Sequence, residues 1–366
     1  MKLHFNKEKF LDGLQQVQSV VGARSTVPVL SNALITVQKN GVFLMATDLD
    51  LAVRCPVEAQ VLEEGATTLP AKRLFTIVRE LAFSEVSMEV NDKNVATIES
   101  GGSHFKIHGL PETEFPRLPK LADAKSFTIE QKILRDALKK TAYAMSMDDG
   151  RFVLNAILLT IKEDKLTSVA TDGRRLALSE YDLDLPKGTQ GELLLPSKTV
   201  AEVQKLIKDK GMVTISFTEN QVCFDMEGTQ LYSKLVDGTY PNYRQVIPSE
   251  TKERISLERE VFSQALHRAS LLANEKNPIV RFEFTKNNLC ITAHAPDVGE
   301  SRERLAINYK GADISIGFNP HYVLDVMQNL ENDEVFLELS DEMSPGVFKI
   351  NAPFLYVIMP MRINTP

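Results

Sequence analysis

The sequence contains no tryptophan and only three cysteines, Cys55, Cys223 and Cys290. They lie far apart and form no CxxC pair, so we expect buried thiols in a reducing compartment rather than a disulfide framework. No apolar run is long enough to cross a bilayer. The first residues, MKLHFNKEKF, lack the apolar segment and cleavage pattern of a secretion signal. The composition therefore favours a cytoplasmic protein that makes no membrane contact.

The motifs that usually mark catalysis or phosphate binding are also missing. The sequence has no GxxxxGK[ST] loop, no GxGxxG, no HExxH and no GxSxG. His104 and His108 are four residues apart, but HFKIHGL alternates like a strand, which favours exposed polar positions over a metal site. We therefore expect no cofactor and no metal ion, and these absences count against an enzyme.

The size of the chain limits the number of domains, and its charge limits the ways in which it could bind nucleic acid. A chain of 366 residues is too long for one ordinary core, so two or three domains are expected. The net charge is −7, whereas a protein that binds nucleic acid by bulk attraction is usually basic. A DNA-binding protein of this composition must therefore concentrate its positive charge on one surface.

The chain contains an internal repeat of about 120 residues. VATDGRRLAL (169–178) resembles LMATDLDLAV (44–53), and LLLPSKTVAEVQKLI (193–207) resembles TTLPAKRLFTIVREL (67–81). TYPNYRQVIP (239–248) in turn resembles EFPRL (114–118). A third and more diverged copy contains LCITAHAPDVGE, SIGFNPHYVLDVMQNL and FLYVIMPMRI. The chain is therefore expected to hold the same unit three times.

Each copy opens with apolar side chains at helical spacing. The three stripes are Phe10, Leu14, Val17 and Val21; Leu134, Leu138, Thr141 and Met145; and Phe262, Leu266, Ala269 and Ala273. Short β-rich runs follow, such as NALITVQ, AILLTIK and RFEFTKN. The pattern predicts an α+β fold of three repeated domains, each with two helices and antiparallel sheets. We place the domains at 1–121, 127–246 and 248–366, between linkers rich in proline and charge.

The repeat also bears on Asp48 and Asp172, which end equivalent strands. An aspartate in this position commonly bonds nearby backbone and closes a turn. The alternative is a metal-dependent enzyme that processes nucleic acid or phosphate, with these two carboxylates as ligands. A third possibility is a repeat scaffold that binds only proteins. Because equivalent positions of two domains need not meet in space, the turn interpretation is preferred.

Three of the predicted helical segments are basic within an acidic protein. They carry Lys72 and Arg73, then Lys139, then Lys198 and Lys205. Each alone would suggest a solvated helix face, but their recurrence indicates one surface that meets phosphates without reading bases. If two helices per domain line a ring, six helices leave almost no hole, whereas twelve leave one roughly 20–28 Å across. A duplex is roughly 20 Å wide, so a dimer could surround DNA.

Several stretches together resemble the bacterial DNA polymerase III beta subunits, the sliding clamps, over nearly the whole chain. They are VPVLSNALI, ATDLDLAV, TTLPAKRLF, VATDGRRLAL, SKLVDGTYPNYRQVIP, LLANEK, GFNPHYVLDV and YVIMPMRI. The resemblance implies a head-to-tail homodimer with sheets outside and helices toward double-stranded DNA, bound without regard to sequence. It also implies a protein that performs no chemistry. DNA polymerase subunits and the clamp loader would bind it through short linear peptides, typically a Gln followed by apolar residues.

The resemblance further implies a peptide cleft between the second and third domains. Its residues here would be Arg151, Leu154, Thr171, Gly173, Arg174, Arg175, Leu176, Pro241, Gln245, Val246, Tyr322, Val357, Ile358, Met359, Pro360, Met361 and Arg362. Leucine, valine, isoleucine and two flexible methionines suit an adaptable apolar groove. Arg174 stands where the family often has His, Gln245 where it often has Arg, and the tail of Asn364, Thr365 and Pro366 is extra.

For the duplex, the resemblance points to Arg24, Lys72, Arg73, Lys198 and Arg151, and the basic helices add Lys139 and Lys205. The loop before Arg151 contains Asp148 and Asp149, which would repel phosphate. For the dimer, the resemblance implies Phe105 and Ile107 on an edge strand, facing Leu271 and Leu272 at a helix end. An exposed edge strand needs covering, which pairing with a second copy would provide.

Overall fold

A computed structural model describes residues 1–22, 27–119, 121–186, 188–274 and 276–363. Arg24 and residues 364–366 lie outside the described part of the chain. The chain forms two compact units. Unit 1 consists of Met1–Lys132 and Lys198–Leu235, and unit 2 of Ile133–Ser197 and Val236–Pro366. Each unit therefore combines one end of the chain with half of the central repeat.

The three copies have the same order of elements, except that the first copy has one extra strand, β5 Ala59–Glu63, between its two helices. The first contains β1 Lys2–Asn6, α1 Lys7–Gln18, β2 Asn32–Gln38, β3 Gly41–Thr47, β4 Leu51–Val57, β5 Ala59–Glu63, β6 Gly65–Pro70, α2 Ala71–Glu80, β7 Glu85–Val90, β8 Val95–Ser100 and β9 Ser103–His108. The second contains β10 Lys125–Glu130, α3 Gln131–Thr141, β11 Ala156–Lys162, β12 Lys165–Thr171, β13 Arg175–Asp182, β14 Gly191–Pro196, α4 Ser197–Leu206, β15 Met212–Phe217, β16 Gln221–Met226 and β17 Thr229–Lys234. The third contains β18 Glu253–Glu258, α5 Arg259–Ser270, β19 Val280–Thr285, β20 Asn288–Ala295, β21 Gly299–Ala306, β22 Ile314–Phe318, α6 Pro320–Asn329, β23 Glu334–Leu339, β24 Gly346–Ile350 and β25 Ala352–Ile358.

This order confirms the predicted α+β repeat with two helices in each copy. The stripes at helical spacing supply the buried faces, because Phe10, Leu14 and Val17 of α1 are fully buried. The first helix is capped by Asn6, whose side-chain oxygen accepts a hydrogen bond from the backbone N–H of Glu8 over 3.0 Å. Such a cap satisfies a backbone donor that the first turn of a helix leaves without a partner.

Unit 1 contains two antiparallel sheets. A five-stranded sheet has the order β5-β1-β7-β8-β9, and an eight-stranded sheet has the order β10-β15-β16-β17-β4-β3-β2-β6. The eight-stranded sheet joins the first two copies where β17 pairs with β4, with Tyr232 opposite Ala52. Strands far apart in the sequence therefore share one continuous sheet.

Unit 2 repeats this arrangement with the other half of the central copy. Its eight-stranded sheet has the order β14-β11-β12-β13-β25-β24-β23-β18, and its four-stranded sheet has the order β21-β20-β19-β22. The two copies join where β13 pairs with β25, with Leu176 opposite Val357 and Arg175 opposite Ile358. This junction brings four of the predicted peptide-cleft residues, two from the second copy and two from the third, onto neighbouring strands.

One basic helix is shorter than its pattern predicts. The segment SKTVAEVQKLIKDK extends over 197–210, but α4 ends at Leu206. The backbone N–H of Lys208 donates instead to the side-chain oxygen of Gln131 over 2.8 Å. Since this hydrogen bond replaces a helical one, the helix ends before Lys208. Among the residues that the structure describes, no helix has the length and apolarity needed to cross a membrane.

Candidate functional site

The turn between β12 and β13, which we call the second corner (171–175), is built by two side chains. Thr171 Oγ1 donates to the carbonyl oxygen of Arg175 over 2.6 Å and accepts from the N–H of Gly173 over 3.1 Å. Asp172 Oδ1 accepts from the N–H groups of Arg174 and Arg175 at 2.8 and 3.0 Å. The predicted turn-closing role of Asp172 is therefore confirmed.

The first corner (47–51) repeats these bonds. Thr47 Oγ1 donates to the carbonyl oxygen of Leu51 over 2.9 Å and accepts from the N–H of Leu49 over 3.0 Å. Asp48 Oδ1 accepts from the N–H groups of Asp50 and Leu51 at 3.0 and 2.8 Å, and Asp48 Oδ2 accepts from Lys198 Nζ. Burial alone would raise the pKa of Asp48, but the bonds from Lys198, Leu51 and Asp50 lower it.

These bonds occupy the oxygens that the enzyme hypothesis would assign to a metal ion. Asp172 Oδ2 also accepts from Arg175 Nε over 3.0 Å. In the described part of the chain, no three His, Cys, Asp or Glu residues are grouped so that they could hold a metal ion. The two corners therefore work as structural turns.

Next to the second corner lies an apolar cluster, which we call the outer cluster. Its buried members are Leu158, Val169, Leu176, Leu178, Leu194, Tyr240, Val347 and Val357, and its partly buried members are Val153, Leu154, Val236, Tyr243, Ile247 and Leu355. The paired residues Leu176 and Val357, both 2% exposed, join the strands of the two copies. Residues of the segment after β17, including Tyr240 and Tyr243, pack against this face of the sheet. The outer cluster is thus a buried apolar patch beside the polar second corner.

Arg175 and Ile358 occupy the same strands, but their side chains point to the opposite face, because side chains alternate along a strand. Ile358 is fully buried and Arg175 is 9% exposed. Arg175 donates from Nη1 to Asp325 and from Nη2 to the carbonyl oxygen of Tyr143, each over 2.5 Å. Its guanidinium also lies 4.3 Å from the ring centre of Tyr322. The sequence places these two residues in the cleft set, whereas the structure gives their side chains a supporting position behind it.

The other predicted cleft residues differ in exposure. Arg151, Gly173, Arg174, Pro241, Gln245, Val246, Met359 and Arg362 are exposed, whereas Leu154, Tyr322, Pro360 and Met361 are half-buried and Thr171 is buried. Val246 and Met359 leave 48% and 44% of their surfaces open, which is high for apolar side chains. The N–H of Met359 donates to the carbonyl oxygen of Arg174 over 2.9 Å, which holds the end of the third copy against the second corner. Sequence reasoning missed Tyr240 and Leu178, although alternation from Leu176 points to Leu178.

The predicted DNA-binding cations fall into two groups. Lys72 and Arg73 are exposed on α2 and form no ion pair among the described residues. Lys139 instead lies 2.6 Å from Glu331, Lys205 lies 2.6 Å from Glu202, and Lys198 pairs with Asp48. Arg151 Nη1 contacts the carbonyl oxygen of Asp172 over 3.4 Å, and its Nε lies 3.6 Å from Asp148. The pairing of Lys139 with Glu331 and of Lys198 with Asp48 was not foreseen, because these carboxylates lie far along the chain.

The predicted dimer residues lie on an edge strand of unit 1 and after a helix end of unit 2. In unit 1, β9 is an edge strand on which Phe105 is 37% exposed and Ile107 is 4% exposed. In unit 2, Leu271 follows α5 with 69% of its surface exposed, and Leu272 is half-buried. Phe105 and Leu271 thus have the most surface to offer a second copy.

The fold and the site together define a repeated α+β protein with an apolar cluster beside structural aspartate turns. Three family descriptions match the chain in succession: DNA polymerase III beta subunit, N-terminal domain, at 1–119; central domain, at 128–242; and C-terminal domain, at 244–362. The beta sliding clamp of Chlamydia pneumoniae is 34% identical over 364 residues, which cover all of both chains. That of Escherichia coli is 34% identical over 371 residues, with 99% of this chain and 100% of the relative covered.

Solved structures agree with this assignment. The DNA polymerase sliding clamp from Bacillus subtilis has a TM-score of 0.95 at 28% identity, with 99% of each chain covered. A sliding clamp from Pseudomonas aeruginosa bound to griselimycin has a TM-score of 0.94 at 32% identity, covering 99% of this chain and 100% of that one. The chain therefore belongs to the DNA polymerase III beta subunit family. It is a sliding clamp, a processivity factor of DNA polymerase with no catalysis of its own.

Proposed function

We propose that two copies of this chain close head to tail into a cytoplasmic ring around duplex DNA. The three domains of each copy are proposed at 1–121, 127–246 and 248–366, which the three successive family matches support. Phe105 and Ile107 on the edge strand of one copy meet Leu271 and Leu272 of the other. Pairing would cover a strand whose backbone groups otherwise stay open to solvent.

The ring would bind DNA without reading its sequence, through cations that meet phosphates. Lys72 and Arg73 are the strongest candidates because they are exposed and make no ion pair among the described residues. Lys139, Lys198, Lys205 and Arg151 would have to exchange a protein carboxylate for a phosphate. Arg24 lies outside the described residues and stays a prediction from the resemblance.

The outer cluster and its rim would hold the peptides of DNA polymerase subunits and of the clamp loader. The observation that carries this proposal is the outer cluster around Leu176 and Val357, together with the exposed apolar side chains of Val246 and Met359, which lie close in sequence to the cluster members Ile247 and Val357. Burial of each apolar side chain of a peptide contributes about 1.5–3 kcal/mol. Arg174 and Gln245 at the rim would set the orientation of the peptide and its sequence preference.

A matched pair of valine substitutions tests the cleft. Val246→Asp places a charge in the proposed groove, whereas Val261→Asp places the same charge on α5 at a similar exposure, 44% against 48%. We expect Val246→Asp to weaken binding of a fluorescent peptide with Gln followed by apolar residues by at least about tenfold, and Val261→Asp to leave it unchanged. Similar affinities of the two variants, both with melting temperatures close to that of the wild type, would count against this groove.

Griselimycin offers a second probe, since a similar solved clamp carries it. We propose that this chain also binds griselimycin and that the compound competes with the peptide. Titration of the preformed peptide complex with griselimycin should then release the fluorescent peptide. Binding of both molecules at once, without mutual displacement, would place griselimycin at a different surface.

The ring is tested with circular DNA. A ring loaded on a nicked circle should remain bound in high salt and leave when the circle is cut, since closure holds it there rather than phosphate contacts. A protein held only by phosphate contacts would dissociate in high salt from the intact circle and from the cut one. A scaffold that binds only proteins would remain on neither form of the DNA.

The dimer edge has its own control within one sheet. Phe105→Asp changes edge strand β9, and Leu62→Asp changes β5, the opposite edge of the same five-stranded sheet. We expect the particle mass in solution to halve for Phe105→Asp and to stay unchanged for Leu62→Asp. A dimer that survives Phe105→Asp and dissociates with Leu62→Asp would mean that β5, and not β9, forms the interface.

A further inference from the structure

The last described residues of the chain lie against an edge strand of unit 2. The N–H of Met361 donates to the carbonyl oxygen of Gly317 over 2.8 Å, which forms an isolated antiparallel bridge. Gly317 belongs to β22, and the other side of this strand pairs with β19, where Arg281 is its opposite residue. The C-terminal segment thus extends the four-stranded sheet by a single contact.

The close approach of the C-terminal segment leaves no room for a side chain at Gly317. A Cβ atom there would lie 2.8 Å from Ile363 Cγ1, 2.8 Å from the carbonyl oxygen of Met361 and 3.3 Å from Ile279 Cγ2. Real Cβ atoms essentially never come within 3.0 Å of such neighbours. The backbone of Gly317 is not in the left-handed region, so its conformation does not require glycine. Glycine at this position therefore serves the contact with residues 361–363.

The segment has a second anchor at its other end. The N–H of Met359 donates to the carbonyl oxygen of Arg174, which belongs to the second corner, over 2.9 Å. Pro360 lies between the two anchors and has no N–H to offer. The residues from Met359 to Met361 are thus held at two points, one on each sheet of unit 2.

We propose that Gly317 is a positioning residue for the peptide cleft. Its missing side chain lets residues 361–363 lie on β22, and this contact fixes the path of the chain through Met359 and Met361 at the rim of the groove. The inference rests on the proposed function of the outer cluster as a peptide site. Gly317 itself need not touch the peptide.

The test compares Gly317→Ala with Gly102→Ala, since a Cβ atom at Gly102 meets nothing within 4 Å. In Gly317→Ala, residues 361–363 must move away from β22, so we expect peptide affinity to fall by about tenfold, because binding sites tolerate little displacement. We also expect hydrogen exchange at the Met361 N–H to become faster, because its acceptor is displaced. Gly102→Ala should match the wild type in both measurements.

A third variant separates positioning from a general loss of stability. Adding Ile363→Ala to Gly317→Ala removes one of the two atoms that the new Cβ meets at 2.8 Å, so part of the peptide affinity should return. If Gly317→Ala does not fold, wild-type protein still tests the idea. Saturating peptide should then slow exchange at the Met361 N–H, because the peptide holds the segment on β22.

The outcomes distinguish this inference from the proposal on which it rests. Failure of the wild type to bind peptide would overturn the peptide site itself. A wild type that binds peptide, with Gly317→Ala binding equally well, would overturn only the positioning role. A Gly317→Ala variant that loses affinity and melting temperature together, with unchanged exchange at Met361, would show a structural role alone. If Gly317→Ala does not fold, the wild type decides. Hydrogen exchange at its Met361 N–H that stays the same with and without peptide would overturn the inference.

Discussion

Leu49 and Gly173 hold the same place in the two corners and share a left-handed backbone, with φ angles of 82° and 86°. Each donates its N–H to the threonine two residues earlier, at 3.0 and 3.1 Å. Leucine in this conformation costs roughly 1–2 kcal/mol, whereas glycine adopts it readily. The first corner therefore carries backbone strain that the second corner avoids.

This difference predicts opposite responses to substitution. We expect Gly173→Ala to lower the free energy of unfolding by about 1 kcal/mol, because alanine must adopt the left-handed conformation and a Cβ there meets only Arg151 Nη1 at 3.8 Å. Leu49→Gly should be neutral or stabilising by up to about 1 kcal/mol. The relief of backbone strain in the folded state exceeds the conformational entropy that glycine adds to the unfolded chain. Urea unfolding of both variants checks this. Destabilisation by Leu49→Gly as large as that by Gly173→Ala would contradict the argument.

The neighbouring arginines of the second corner should separate stability from binding. Arg175 is buried among Asp172, Asp325 and the carbonyl oxygen of Tyr143, whereas Arg174 is exposed. We expect Arg175→Ala to cost about 1–3 kcal/mol, because it leaves the partly buried carboxylate of Asp172 and the carbonyl oxygen of Tyr143 without their donor. Arg175→Lys should recover part of this loss, since lysine keeps the charge but not the forked geometry.

Arg174→Ala is the control for that prediction. It should leave the urea midpoint near that of the wild type and lower only the affinity for the peptide. If Arg174→Ala destabilised the fold and Arg175→Ala did not, the assignment of a structural role to Arg175 and of a binding role to Arg174 would be wrong.

Local patterns in the sequence predicted the elements well, and tertiary contacts explain where they did not. The segment AKRLFTIVRE gives α2 at its observed bounds, and NALITVQ gives β2, because both depend on side-chain periodicity within the segment. The end of α4 depends on Gln131, which lies 77 residues before Lys208. Nothing in the local sequence of α4 shows that bond.

The candidate site was foreseen as a set of residues but not as a surface. The resemblance named Arg175 and Leu176 together, and only the pairing of β13 with β25 shows that they face opposite sides of the sheet. Likewise, the sequence shows that a helix carries a lysine but does not show which carboxylate pairs with it. Glu331 beside Lys139 is such a partner, and it belongs to another copy of the repeat.

The pairing of the lysines predicts different contributions to DNA affinity. Lys72→Ala and Arg73→Ala should each reduce the slope of log affinity against log salt by about 0.9, the value for one phosphate contact. Lys139→Ala should reduce it by less, because Lys139 already lies 2.6 Å from Glu331. Titration of a short linear duplex at several salt concentrations gives the slopes. Equal reductions in all three variants would mean that Lys139 leaves Glu331 to meet phosphate.

The carboxyl group of Asp48 should make the stability of unit 1 depend on pH. Burial would raise its pKa, but the bonds from Lys198 and from two backbone N–H groups lower it below the ordinary value. A carboxyl group with a lowered folded-state pKa stabilises the fold above the unfolded pKa of about 3.9, and this contribution is lost as the pH falls through the folded pKa. Asp48→Asn removes the titrating group and keeps an oxygen that can accept from the backbone.

We therefore expect Asp48→Asn to be less stable than the wild type at pH 7 and the difference to shrink as the pH falls below about 4. Urea unfolding at a series of pH values measures it. Asp50→Asn is the control, since it removes a carboxylate from an exposed pair with Lys234 in the same corner. Exposed pairs contribute only about 0–1 kcal/mol, so its effect at pH 7 should be smaller. A stability difference for Asp48→Asn that stays constant from pH 7 to about 3 would show that the charge of Asp48 does not stabilise the corner.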